Sequence, residues 1–177
     1  ASGELLMRQT GIVSLHAMTT TNAIRFLFDT VGSREIRKLL LLQNAAFLPQ
    51  FRESMKSRGH VGEVKINELM PATSPEPLTV DAIFDSVGVS SQEAAQKTLA
   101  YLTDVDHVDS FMTAAKRLIF MKGNDSHDYK FSMATLEDYY KLSPDFQTQF
   151  MAASTYYLKG SKAADNKLVQ RIRTALG

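Results

Sequence analysis

The chain contains no cysteine. That absence excludes disulfides, cysteine-ligated zinc, iron–sulfur clusters and a thiol nucleophile. An excess of one charge is also missing: 20 Lys and Arg stand against 19 Asp and Glu, a formal net charge of +1. Nucleic-acid binders carry a basic excess or a concentrated basic patch. The overall balance therefore points to no nucleic acid, and gives no support for an anionic membrane surface. No apolar run approaches the roughly 20 residues that a membrane span requires. The longest stretch of note, Leu39 to Leu42, lies between Lys38 and Gln43. Phosphate-loop, dinucleotide, zinc-protease and nucleophile-elbow motifs are absent as well.

What is present is ordinary globular composition, 44% apolar and 22% charged over 177 residues. Such a chain can remove about 70% of its unfolded surface from water in one core. One soluble helical domain over residues 1–177 is expected, with a possible connector at 70–77, where Pro71, Pro75 and Pro77 cluster. The chain opens on Ala1-Ser2-Gly3 and enters a helical pattern at once. Processing explains this, and so does an origin as the C-terminal part of a longer protein.

The apolar spacing predicts an all-α, irregular multi-helix bundle, with two long N-terminal helices and five or six shorter ones. In the first, Leu5, Ile12, His16, Ala23 and Leu27 share one side at 100° per residue. Thr19 to Asn22 offer cap chemistry that can divide it in two. A second long helix runs from Ser33 to about Ser57, kinked by Pro49. Ile36, Leu40, Gln43 and Phe47 share its predicted inner face, and its apolar girth marks it as a central helix. Arg34, Lys38, Arg52 and Lys56 form a basic row on it, read as a solvated face because Leu41 and Ala45 interrupt it. In the second half, helices are predicted from Thr79 to near Gly88, from Ser90 (with Glu93 as a capping box), from Asp106 to Gly123, from Ser132 to Leu142, from Pro144 to Gly160, and around Leu168, Ile172 and Ala175.

Three polar insertions are candidate sites. His16 projects from the predicted inner stripe as a buried histidine, with Gln9 and Thr20 on the same side. Burying such groups unpaired costs about 1–3 kcal/mol each, so a metal, a ligand or another side chain must satisfy them. Gln43 and Asn44 interrupt the second helix and are candidate ligand-binding residues with Gln9 and Thr20. The third insertion, residues 124–130, is expected in a connection between helices, where functional groups concentrate. There His127, Asp128 and Lys130 suit general acid–base work, and His127 suits a metal. At each site a satisfied core network or a helix cap explains the residues at least as well. His60 reads as a helix-end residue, and His107, beside Asp104 and Asp106, as a helix-start residue. His16 and His127 are expected to face one polar cavity, lined also by Gln43.

The segment Leu15-His16-Ala17-Met18-Thr19-Thr20-Thr21-Asn22-Ala23-Ile24-Arg25 resembles questin-oxidase-like proteins, and the similarity extends over Leu15 to Arg52. The resemblance implies a helical oxidoreductase with histidine-bound, non-haem iron acting on polycyclic aromatics. It carries over only His16, as a metal ligand.

Two function classes follow. One is a helical enzyme or enzyme fragment, a metal-dependent oxidoreductase with iron or zinc near His16 and His127 and a small-molecule ligand. The other is a non-catalytic helical binding or assembly domain that packs on another protein chain or buries an apolar ligand. Tyr139, Tyr140, Tyr156 and Tyr157 suit a contact surface, and core packing equally.

Overall fold

A computed structural model describes residues 1–177. It is all-α: nine α-helices, two short 3-10 turns and no strand. No helix is long and apolar enough to cross a membrane. Residue contacts divide the chain into two compact units, residues 1–68 and 69–177, and the division falls just before the proline cluster. Each unit is described by itself.

In the first unit the N-terminal run is two helices, α1 (Ser2–Arg8) and α2 (Ile12–Thr30). The break falls at Gln9 to Gly11 and not at the threonines. Thr19 and Thr21 turn their hydroxyls back onto the Leu15 and Ala17 carbonyls, which keeps them inside the helix. Helix α3 (Arg34–Lys56) starts on Ser33, whose hydroxyl accepts the Ile36 N–H, and runs on through Pro49. The three-residue turn between α2 and α3 makes an antiparallel helical hairpin.

Helix α1 packs against α2, and a small core joins Leu5, Ala17 and Met55 with Val13, Leu48, Phe51 and Val61. The segment after α3 is strapped along α1. Gly62 N–H donates to the Arg8 carbonyl at 2.8 Å, Arg8 Nε to the Val64 carbonyl at 2.9 Å, and Gln9 Nε2 to the His60 carbonyl at 3.0 Å. Glu4 accepts the Ile66 N–H and pairs with Arg8. Every core partner named here lies in the half of the hairpin near α1. The far half has no such cover. Helix α3 is therefore not central: Met55 is its only buried residue.

The second unit contains α4 (Val80–Ser86), α5 (Ser91–Tyr101), α6 (Val108–Lys122), α7 (Ser126–Tyr139), α8 (Pro144–Ser154) and α9 (Lys167–Leu176). Thr79 and Ser90 cap α4 and α5. Fully buried Ala94 and Ala95 on α5 and Ala152 and Ala153 on α8 let these two helices come close. Phe84 and Phe111 meet at 5.1 Å, and Phe131 and Tyr157 at 5.0 Å. Helix α7 begins six residues before Ser132. Asp125 accepts the N–H groups of His127 and Asp128, so the expected connection at 124–130 is mostly the first turn of a helix.

Candidate functional site

The stripe of α2 that carries His16 faces outward. His16, Ala23 and Leu27 are exposed, whereas Ser14, Leu15, Ala17, Met18 and Ile24 are buried. The expectation of a buried histidine is corrected. Helix α2 is apolar around most of its girth, and the broader stripe took the packing. Gln9 is spent on the His60 carbonyl, and Thr20 is half-buried.

On α3 the inner face is rotated from the predicted one and shares only Leu40 and Phe47 with it. Ile36 and Gln43 are exposed, while Arg37, Leu40, Asn44, Phe47 and Phe51 are partly covered. Asn44, not Gln43, meets α2: Thr21 Oγ1 lies 3.1 Å from Asn44 Oδ1 while also donating to the Ala17 carbonyl at 2.8 Å. Arg37 can face inward because its Nε donates to the Val31 carbonyl at 2.9 Å and its guanidinium lies over the Phe28 ring.

In the second unit Asp128 is buried and fully used. Its Oδ2 accepts the Asn124 N–H at 2.9 Å, and its Oδ1 lies 2.8 Å from Lys159 Nζ. Lys130 is exposed. The ring of His127 is 40% exposed, with Nδ1 3.6 Å from Asp125 Oδ1. The two N–H groups that Asp125 caps, first Asp128 and then His127, hold its carboxyl below the usual carboxylate range. Within neither unit do three His, Asp or Glu side chains gather as a metal-holding group.

Two further constellations were not singled out from sequence. Lys97 Nζ lies 2.9 Å from Ser86 Oγ and 2.6 Å from Glu93 Oε1. A lysine activates a serine by accepting its proton as a neutral amine. Here Glu93 holds the ammonium, and the ammonium in turn draws the Glu93 carboxyl below its ordinary range. The cluster fastens α4 to α5. His107 stacks on Tyr101 at 4.2 Å, with Nδ1 3.0 Å from the Tyr101 carbonyl. A carbonyl only accepts, so Nδ1 carries the proton. The pair lines a cleft of about 310 Å³ with Glu76 and Asp104. A wider groove of about 640 Å³ lies between α4 and α6, lined by Val80, Phe84, Leu118, Met121, Asp81 and Arg117. In the wider groove the Ser161 hydroxyl donates to the Asp85 carboxylate, beside the Phe84 carbonyl.

The unusual surfaces are apolar. Phe26, Leu27, Ile36, Leu39, Leu41 and Leu42 at the far end of the hairpin are between 46% and 67% exposed. No protein-family model, curated protein or solved structure matches the chain.

Proposed function

We propose that the chain is a non-catalytic helical assembly module, whose α2–α3 hairpin packs on a second copy of the chain. The observation that carries this reading is the exposed apolar surface at the far end of the hairpin. On α3, Ile36, Leu39, Leu42 and Ala46 recur at spacings of three and four residues. They fall on the side away from Asn44 and Thr21, the geometry of a seam for another helix. Isolated exposed leucines need no explanation, but a group this dense does.

Area supports the same occupant. Six side chains of this size, about half exposed, present on the order of 400 Å² of apolar surface. Two such faces remove about 800 Å² together, so the polar rim must add the rest of the roughly 1,000 Å² that a specific association needs, and a weak pair is expected. Arg34, Lys38, Arg52 and Lys56 are all exposed. They border the seam as a solvated rim.

Sedimentation velocity tests this. The expected result is a dimer for the wild-type chain and a monomer for the Leu39→Glu/Leu42→Glu variant, with unchanged far-UV circular dichroism. A wild-type chain that stays monomeric at about 100 µM, a concentration that populates even weak pairs, overturns the reading. The enzyme reading keeps the half-exposed His127 beside Asp125 in its favour. Stoichiometric iron or zinc retained by protein purified without chelator would restore it.

A further inference from the structure

Helix α9 is built unlike the other helices of its unit. Its base is tightly held. The buried Asn166 donates from Nδ2 to the Phe120 carbonyl at 2.7 Å and to the Gly123 carbonyl at 3.2 Å. Its backbone N–H donates to the Met121 carbonyl at 2.8 Å, and its Oδ1 accepts the Val169 N–H at 3.0 Å. Asp165 pairs with Lys122 at 2.7 Å and with Arg173 at 2.8 Å. The start of the helix is thus pinned to the end of α6. Beyond that start it buries no side chain: no residue of α9 is buried, and all but Val169 are exposed.

An unpacked ten-residue helix is marginal in water, so its sequence should be polar all round. It is not. At 100° per residue Ala175, Leu168, Ile172, Leu176 and Val169 fall within an arc of about 120°. Leu168 is 63% exposed and Leu176 84%. Lys167, Arg171 and Arg173 are the only charges on the helix. The two arginines stand at opposite edges of the apolar arc. There their stems extend the apolar face and their heads reach away from it.

We propose that α9 is a peripheral membrane contact, which lies along a bilayer surface rich in anionic lipid with its apolar arc sunk among the headgroups. Charge complementarity selects this occupant, since every charge on the helix is positive: Arg171 at one edge of the arc presents its guanidinium for phosphate, with Lys167 beside it, while Arg173 at the other edge is held by Asp165. A second α9 would meet it with like charges. A protein groove is favoured by large aromatic anchors that fill pockets, and α9 has none. The near-zero net charge of the chain does not oppose this, because the cations that matter are local.

The test uses the full chain and sedimentation with vesicles. Vesicles of equal phosphatidylcholine and phosphatidylserine should pellet the protein, and phosphatidylcholine alone should not. Salt at about 0.5 M should release it, since the Debye length is then only about 4 Å. Leu168→Glu/Ile172→Glu and Arg171→Glu each sit on exposed positions and leave the fold intact. The first should abolish binding, and the second should weaken it by about tenfold at low salt. Lys116→Glu, at an exposed position of α6, should bind like the wild type. No binding to the anionic vesicles overturns the proposal and leaves an acidic protein groove as the partner. Equal binding to both vesicle types overturns it too, as does binding lost with the α6 variant and kept by the α9 variants.

Discussion

Lys159 lies 2.8 Å from Asp128, tying the segment that follows α8 to the first turn of α7. The carboxylate side chain is 5% exposed and the ammonium side chain 26%. This asymmetry sets an order of effects. Asp128→Ala removes the buried charge and leaves an ammonium that can turn to water, so it should lower stability by about 1–3 kcal/mol. Lys159→Met strands a buried carboxylate with only the Asn124 N–H. It should cost more, about 2–4 kcal/mol at neutral pH. Urea denaturation at neutral pH checks this, and a Lys159→Met variant milder than Asp128→Ala would contradict it.

The contact between Thr21 and Asn44 sets the register of the hairpin. Asn44 faces α2, and Gln43, one residue earlier, is exposed. Asn44→Ala should therefore destabilise by about 1 kcal/mol, while Gln43→Ala stays within about 0.5 kcal/mol. A double-mutant cycle with Thr21→Val should show coupling between Thr21 and Asn44 and none between Thr21 and Gln43. Equal effects at positions 43 and 44 would mean that the hairpin pairs in the other register.

Much of the fold was legible because cap chemistry is local. Ser33, Thr79, Ser90 and Pro144 each mark a helix start within a residue of where it occurs. Ser132 misled because Asp125, an equally good cap, lies seven residues upstream and needs no apolar periodicity around it. The inner faces of α2 and α3 were not legible. With Leu39 to Leu42 in sequence, apolar residues lie on every side of α3, and 3.6-residue periodicity then fits several faces equally. What chose among them was partner chemistry between helices: Asn44 with Thr21, and Arg37 with Val31 and Phe28. That information is not carried by any one helix. The candidate site failed on the same point, since His16 belongs to the α2 stripe that lost. In the 124–130 cluster two readings stood side by side, acid–base or metal chemistry and a helix cap, and the contacts of Asp125 bear out the cap. Asp125 and Asp128 hold a turn, the bland outcome for acidic residues at a helix start.

Gly160 is buried against the end of α4. A Cβ there would fall well inside contact distance of the Val87 carbonyl oxygen and close to the Phe84 carbonyl. The next residue, Ser161, donates its N–H to that Phe84 carbonyl at 3.0 Å, so the strap cannot simply lift away. Its backbone is not in the left-handed region, so the requirement is for space alone. Gly160→Ala should destabilise by about 2–4 kcal/mol through a backbone clash that no rotamer relieves. Gly32→Ala is the control, because nothing lies within 4 Å of its Cβ position. Thermal unfolding should separate the two variants by several degrees.

The pH profile of stability follows from two sets of groups in the second unit. Glu93, Asp125 and Asp165 have carboxyls held below their ordinary range, chiefly by Lys97, by backbone N–H groups and by Lys122 respectively. A depressed folded value means that the unfolded chain binds protons first as pH falls. Their contribution is present above the unfolded carboxyl range, about pH 4, and is lost as pH drops through the lower folded values. Tyr139, Tyr156 and Tyr157 behave oppositely. Burial, the leading cause for each, pushes their phenols above the ordinary value. Their contribution is present below about pH 10 and is lost as pH rises through the raised folded values, because the unfolded phenols ionise first. Stability measured from about pH 2 to 11 should therefore fall at both ends. Asp125→Asn should flatten the acid limb and leave the alkaline limb nearly unchanged, while Tyr156→Phe should flatten only the alkaline limb. An acid limb that keeps its full steepness in Asp125→Asn would show that the helix cap of α7 is not among the groups that set it.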